Sequence, residues 1–214
     1  MKNKFLICLI ITVSSLTTFS QTDETGRVSF GVRAGINFQN LNGKDGSGNM
    51  LKNNLVPRYH LGINVEIPIV PDICLQPNLL FSTKGASSNN AQFNISYVEL
   101  PINLIYKPLL GKGHLMLGFG PYLAYAVGGK VTFNGGSEKI IFKSSRSNQD
   151  LSPVLKPFDA GGNMLFGYEF ASKISLQLNV QLGLVNINPK NDSNPGDQST
   201  LKNTGFGLSA GYRF

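Results

Sequence analysis

Residues 204–214 read TGFGLSAGYRF, and apolar side chains alternate in them with small or polar ones. The apolar positions are Phe206, Leu208, Ala210, Tyr212 and Phe214. Successive side chains of a β-strand point to opposite faces of its sheet. The stretch therefore predicts a terminal strand with one wholly apolar face and one face of glycine, serine and arginine.

Seven further segments upstream show the same alternation, and the connections between them are alternately long and short. The predicted strands cover about residues 28–40, 58–69, 73–85, 93–107, 114–128, 158–170, 174–184 and 204–214. Transmembrane barrels combine strands of this length with short periplasmic turns and longer outer loops. We predict an all-β fold, an eight-stranded antiparallel up-and-down transmembrane β-barrel. Its last strand must pair with its first, because an open edge in hydrocarbon leaves backbone groups unpaired.

The composition of the polar face separates a membrane barrel from a soluble ligand-binding barrel, which would turn its apolar face inward. A solvated face should be rich in lysine and glutamate. Here it is mostly glycine, serine, asparagine, glutamine and alanine, and only 14% of the chain is charged. We therefore expect the apolar face to meet lipid. The aromatic residues expected at the bilayer interfaces are Tyr59, Phe81, Tyr106, Tyr125, Phe170, Tyr212 and Phe214.

A few isolated charges lie on the face that we expect to line the lumen. They are Arg33, Glu66, Lys84, Glu99, Glu169 and Arg213. Isolated charges in a dry core are costly, so we expect them to pair in a network that fills the lumen. The alternative is an ion or proton pathway.

Four prolines lie inside predicted strands, where a residue without an N–H weakens the ladder. They are Pro68, Pro77, Pro101 and Pro121. We expect bulges or rim positions to accommodate them. Without a bulge at Pro121, the register of the fifth strand would be wrong.

The first 20 residues read as a signal peptide. Lys2 and Lys4 precede an apolar run over residues 5–13, which is too short to span a bilayer as a helix. We expect cleavage near Ser20, export to the cell outer membrane, and a single barrel domain over residues 21–214. The chain has no basic run, so nucleic acid is not an expected partner. Cys74 is then alone, and we expect a small buried residue.

No catalytic, cofactor or metal site emerges from the sequence. His60 and His114 begin strands that place them at opposite ends of the barrel, so both are expected to be polar rim residues. No metal-ligand cluster, phosphate loop or nucleophile elbow is present. Residues 45–49 (DGSGN) look superficially like a calcium loop but lack the distal glutamate, which favours a flexible tip. We therefore expect no enzymatic activity and no cofactor.

Several motifs resemble the outer-membrane β-barrel family common in Bacteroidetes, which includes the PorT-like proteins. They are residues 31–37 (GVRAGIN), 79–85 (LLFSTKG), 97–107 (YVELPINLIYK) and 118–122 (GFGPY), with the aromatic C-terminus. The most specific matches are Tyr97, Glu99, Pro101 and Tyr106. The resemblance implies an eight-stranded barrel that the barrel-assembly machinery inserts through its terminal strand. It implies no activity, and a role in type IX secretion belongs to a subset of the family.

Loops on a rigid scaffold usually carry function. We therefore expect a monomeric, non-enzymatic barrel that contacts outer-membrane lipid and carries a structural or interaction role. A protein partner is expected at the outer loops, residues 41–57 and 129–157. Four alternatives remain open: a narrow pore or transport barrel, a type IX secretion accessory, a lipid-modifying enzyme, and a soluble periplasmic barrel.

Overall fold

The chain closes into a ring of eight antiparallel strands, as a computed structural model of residues 26–88, 91–133, 135–194 and 196–214 describes. The predicted signal peptide, residues 1–20, lies outside the described residues. The wall strands are β1 (Ser29–Lys44), β2 (Val56–Val70), β3 (Ile73–Lys84), β4 (Ala91–Tyr106), β5 (Gly113–Phe133), β6 (Phe158–Glu169), β7 (Ile174–Gly183) and β8 (Thr200–Arg213).

Each wall strand pairs with the next along the chain, and β8 closes the ring on β1. At the seam Ala34 lies opposite Ala210, and Phe38 opposite Phe206 with ring centroids 5.3 Å apart. Both edges of the sheet are thereby paired, as hydrocarbon requires. The prediction of an eight-stranded antiparallel barrel with a β8–β1 seam is confirmed. No helix in the described ranges is long and apolar enough to cross a membrane.

Three of the four strand prolines are accommodated without a bulge, so the expectation of bulges or rim positions was wrong for them. Of the four prolines, only Pro68 lies beside a register shift. Pro77, Pro101 and Pro121 each pair with one neighbouring strand, while pairing lapses for two residues on the other side and resumes in the same register. In an antiparallel sheet each residue directs its backbone N–H to only one of its two neighbouring strands. A proline therefore removes one ladder hydrogen bond, on one side only. The predicted register of the fifth strand therefore stands without a bulge at Pro121.

The wall inverts its polarity near the long loops, and β4 shows this most clearly. From Tyr106 at the short-turn end to Val98, the outward side chains of β4 are apolar. Beyond Val98 the outward side chains are Ser96 and Asn94, while Tyr97 and Ile95 point inward and are fully buried. A wall in lipid must be apolar outside, whereas a wall in water buries its apolar side chains inside. The inversion therefore marks where the barrel leaves the hydrocarbon.

The strands extend further on the long-loop side than predicted. β1 runs to Lys44 rather than residue 40, and β5 runs to Phe133 rather than residue 128. Beyond Gly129, β5 pairs with a short extra strand, Gly136–Lys139, in a hairpin. The remaining short strands are Leu109–Leu110, Ile141–Phe142, Ser145–Arg146, Val154–Leu155 and Lys190–Asn191.

Glycine on the inward face lets large side chains cross a narrow lumen. A Cβ added at Gly161 would lie 2.8 Å from a ring carbon of Tyr122, closer than side-chain atoms approach. Tyr122 is 1% exposed and crosses the interior at this level. An eight-stranded barrel has room only for its own side chains or one small ligand, so the inward face depends on such gaps.

Candidate functional site

Four charged side chains meet near the short turns in what we call the turn-side cluster, Glu66, Lys107, Glu169 and Arg213. The Lys107 ammonium donates to Glu66 Oε1 at 2.8 Å and to Glu169 Oε2 at 2.9 Å. The Arg213 guanidinium donates from Nη2 to Glu169 Oε1 at 2.8 Å. The side chains are 4–11% exposed, except that of Arg213 at 29%. Two cations and two carboxylates balance here.

A second group, the loop-side cluster of Lys84, Glu99 and Asp159, lies deeper in the lumen. The Lys84 ammonium lies 2.9 Å from Glu99 Oε2 and 3.4 Å from Asp159 Oδ2. It also sits 4.1 Å from the centroid of the Tyr122 ring, at cation–π distance. Asn203 donates to Asp159 Oδ2 at 2.9 Å. All three charged side chains are at most 1% exposed, so water does not reach them.

Arg33 lies in the lumen with polar neutral partners instead of a carboxylate. Its guanidinium donates to Asn179 Oδ1 at 2.9 Å and to Ser209 Oγ at 3.0 Å. The loop-side cluster carries one surplus negative charge, which Arg33 balances. Across the lumen as described, four cations therefore face four carboxylates. The cations are Arg33, Lys84, Lys107 and Arg213; the carboxylates are Glu66, Glu99, Asp159 and Glu169.

An apolar layer closes the lumen at the long-loop end. The wall contributes Leu41, Ile95 and Val131, and the loops contribute Leu155 and Ile187, all at most 4% exposed. The two small cavities deeper in the lumen have volumes of about 20 and 10 Å³. A cavity needs roughly 10–15 Å³ to hold one water, so each has room for about one. Among the described residues, side chains therefore fill most of the lumen between these cavities and the apolar layer.

The long loops pair with one another in a folded layer. Ile141–Phe142 pairs in parallel with Val154–Leu155, and Ser145–Arg146 pairs in parallel with Lys190–Asn191. Arg146 Nη2 lies 2.8 Å from Asp197 Oδ2. Two of the long loops are therefore joined by backbone and by an ion pair.

Asp197 is the centre of this loop layer. Hydrogen bonds from Ser199 and Asn191, and then from Arg146, hold the pKa of its carboxyl well below the usual range. The neighbouring Gln198 N donates to Gly46 O at 3.4 Å, which ties in the loop between β1 and β2. Two loops thus meet at the Asp197 carboxylate, and a third is held by the backbone of the neighbouring Gln198.

The barrel is open at the short-turn end. A cavity of about 700 Å³ there is lined by Cys74, Glu66, Lys107, Arg213 and His114, among others. Water therefore reaches the turn-side cluster but not the loop-side cluster.

The six predicted lumen charges all lie inside the wall, but they do not form one network. Glu66, Glu169 and Arg213 share the turn-side cluster, Lys84 and Glu99 share the loop-side cluster, and Arg33 stands apart. The seven predicted interface aromatics all point outward and are 36–64% exposed. They are Tyr59, Phe81, Tyr106, Tyr125, Phe170, Tyr212 and Phe214.

Sequence reasoning missed two members of these clusters, Lys107 and Asp159. Each lies on the same alternating face as a residue that was predicted, Lys107 with Glu99 and Asp159 with Glu169. Extending the alternation to the strand ends would have found both.

The expectation that both histidines are rim residues was wrong for His60. It is 4% exposed inside the lumen, and its ring nitrogens lie 2.8 Å from Asn37 Oδ1 and 2.9 Å from Ser209 Oγ. The strand begins at Val56, so His60 lies well inside it. His114 lies at the turn-side cavity, far from His60 along the barrel, and the two do not form one site. Among the described residues, no group of His, Cys, Asp and Glu is arranged to hold a metal ion.

Comparison with known proteins gives one family and several structures. The family described as outer membrane protein beta-barrel domain matches residues 19–188. No curated protein matches in sequence. One solved structure is Ail of Yersinia pestis in complex with the heparin analogue sucrose octasulfate. It is 13% identical with a TM-score of 0.44, over 88% of this chain and 99% of that one.

Two further structures are similarly distant. Neisserial surface protein A is 11% identical with a TM-score of 0.47, over 88% of this chain and 99% of that one. AlkL, solved in DMPC lipid bilayers, is 14% identical with a TM-score of 0.37, over 91% of this chain and 94% of that one. The family match covers well over half of the chain. With its closed eight-stranded wall, the protein therefore belongs to the outer-membrane β-barrel domain family and is a protein of the outer membrane.

Proposed function

We propose that the protein is a closed, non-enzymatic barrel that holds a folded loop layer at the cell surface, where the layer contacts a protein partner. The observation that carries this proposal is the filled lumen. Its charges are balanced and all but Arg33 are in ion pairs, its two inner cavities have room for about one water each, and an apolar layer lies across it. A barrel built this way supports its loops and does not transport.

The loop layer suits recognition because it is organised before a partner arrives. Two of its loops are joined through the Arg146–Asp197 ion pair and the parallel pairing of Ser145–Arg146 with Lys190–Asn191. The longest loop is also folded on itself by the pairing of Ile141–Phe142 with Val154–Leu155. Pre-ordered loops lose less conformational freedom on binding, which favours affinity. Large apolar side chains are presented on it, with Leu151 at 95% and Met50 at 69% exposed.

Planar-bilayer recording tests the closed barrel against the pore alternative. Wild-type protein should give no channel events. The double variant Leu155→Ser/Ile187→Ser weakens the apolar layer. Its matched control is Leu151→Ser, which changes an exposed side chain. The closed barrel would be overturned if the wild type gave unitary conductance steps and Glu99→Gln changed their size.

Site-specific photo-crosslinking on intact cells tests the interaction role. A photoreactive residue at Leu151 or Met50 should give a defined cross-linked product, and one at Lys112 in a short turn should not. An absence of products at both loop positions, with the barrel correctly inserted, would argue against a partner at the loops.

We propose that residues 1–20 are removed on export, that the long loops face outward, and that the mature barrel is a monomer. The closed wall needs no second copy to satisfy its edges. N-terminal sequencing of the outer-membrane form should begin near Gln21. External protease should cut within the long loops and leave the short turns intact; cleavage at the turns alone would reverse the orientation.

Within the family we propose a place among the PorT-like proteins, inserted by the barrel-assembly machinery. The motif at residues 97–107 supplies Glu99 to the loop-side cluster and Lys107 to the turn-side cluster. A type IX secretion accessory remains the alternative within that group. Unchanged cargo secretion in a deletion strain would remove it, and an unchanged lipid A profile would remove the lipid-modifying enzyme.

A further inference from the structure

The outer rim of the barrel carries an excess of positive charge. Among the described residues near the long loops, ten Lys and Arg stand against five Asp and Glu. The cations are Lys44, Lys52, Arg58, Lys130, Lys139, Lys143, Arg146, Lys156, Lys190 and Lys202. The anions are Asp45, Glu138, Asp150, Asp192 and Asp197. The described lumen charges balance, so this excess belongs to the surface.

Two of these lysines form a like-charge pair on the outer side of β5. Lys130 lies directly opposite Lys139 in the hairpin that extends this strand, and both are exposed. Like charges directly opposite each other destabilise a strand pair. No carboxylate of the described chain lies within 4 Å of either ammonium group, since neither takes part in a salt bridge.

A second lysine pair lies across the barrel, at the β8–β1 seam. Lys202 faces Asn42 and Lys44 faces Thr200, so the two lysines are diagonal neighbours on one face. That face is the outer one, because Leu41 and Asn203, the next pair along the two strands, are buried inside. Here too the described chain provides no salt-bridge partner.

Both pairs stand just above the apolar band. Lys130 is three residues beyond the exposed Val127, and Lys202 is four residues beyond the exposed Phe206. At roughly 3.3 Å per residue and a tilt of about 40°, these spacings raise the backbone by about 8–10 Å. The headgroup layer is about 5–8 Å thick on each side, and lysine side chains reach to it.

We propose that the two lysine pairs, Lys130 with Lys139 and Lys44 with Lys202, bind the phosphate groups of outer-leaflet lipid. An ammonium group binds phosphate as a point charge, and two on one face hold it between them. The lipid phosphate relieves the repulsion within each pair and fixes the height of the barrel in the membrane. The inference rests on the proposed orientation, with the long loops outside.

Native mass spectrometry of the detergent-solubilised protein tests this with diphosphorylated lipid A as the probe. Removing one lysine near an anionic lipid surface should weaken binding about fivefold. Each double variant, Lys130→Gln/Lys139→Gln or Lys44→Gln/Lys202→Gln, should weaken binding at its own site roughly twenty-fivefold and so remove one of two bound lipids. The matched control is Lys52→Gln/Lys190→Gln, which removes the same charge from exposed positions in the loops.

Three outcomes would overturn the proposal: equal binding of dephosphorylated lipid A, an equal loss in the control variant, or wild-type binding in both wall variants. Displacement by millimolar inorganic phosphate would assign the site to a free anion instead of a lipid. Heat-modifiable gel migration checks that each variant is folded. The measurement in detergent does not depend on orientation or on a partner, so its failure leaves the crosslinking and conductance tests of the proposed function intact.

Discussion

Both charge clusters of the lumen pair buried cations with carboxylates, but they differ in their access to bulk water. The loop-side cluster places one ammonium, that of Lys84, between Glu99 and Asp159 with no access to water. The turn-side cluster shares two cations between two carboxylates beside an open cavity. A buried charge whose partner is lost cannot recover its hydration, whereas one beside water can. The same kind of interaction should therefore be worth different amounts in the two clusters.

The largest effect is expected from Lys84→Met, which leaves two dry carboxylates facing each other. Breaking a buried pair from one side costs about 3–5 kcal/mol. The free energy of unfolding, from urea titration in lipid vesicles, should fall by that amount. Adding Glu99→Gln and Asp159→Asn should restore most of the loss. A cost no greater than that of Lys107→Met would contradict the difference between the clusters.

Lys107→Met should have an intermediate effect, because cavity water can hydrate the carboxylates it releases. Arg213 remains on Glu169, so only Glu66 loses its partner. We expect a loss of about 2 kcal/mol, typical of one unsatisfied group. The same urea titration measures it, and a loss as large as that of Lys84→Met would show that the turn-side cluster is dry.

Arg213→Gln should cost less than about 1 kcal/mol, as for a partly solvated ion pair. The Arg213 side chain is 29% exposed, and Lys107 continues to hold Glu169. High salt should reduce the difference between variant and wild type. A salt-independent loss of several kcal/mol would instead place Arg213 in a dry environment.

The smallest effect on the barrel is expected from Asp197→Asn in the solvated loop layer. Because the pKa of Asp197 is depressed in the folded state, its contribution is complete above the unfolded value of about 4 and is lost as pH falls through the folded value. The protection factors of the wild-type loop amides, which compare each exchange rate with that of an unstructured peptide at the same pH, should therefore be high at pH 7 and fall only well below pH 4. The variant should exchange faster at pH 7 with an unchanged barrel midpoint. Equal exchange in both proteins would remove Asp197 from the centre of the layer.

The alternation of the strands made most of the fold predictable. The period of two in residues such as Phe206, Leu208 and Tyr212 places each side chain on one face regardless of its neighbours. Closure follows because hydrocarbon tolerates no free edge. The prolines show the limit of this reasoning. The sequence does not distinguish a proline beside a bulge, such as Pro68, from one where pairing lapses on one side in the same register, such as Pro121.

The candidate site was less predictable, because pairing across a lumen is not a local property. The alternating face predicted that Lys84 and Glu169 point inward. It could not predict that Lys84 pairs with Asp159 or that Glu169 pairs with Lys107, because those partners lie on strands that are distant in the sequence. The stagger of the closed ring decides which side chains share a level.

The amino-acid sequence by itself determined an eight-stranded barrel in the outer membrane, because side-chain period, glycine content and loop lengths are local properties that hydrocarbon then constrains. Only the tertiary structure decided how the lumen is filled. That outcome depends on Leu155 and Ile187 folding back from separate loops onto the inward Ile95. It also depends on ring closure, which brings the cations and carboxylates of separate strands within bonding distance of one another.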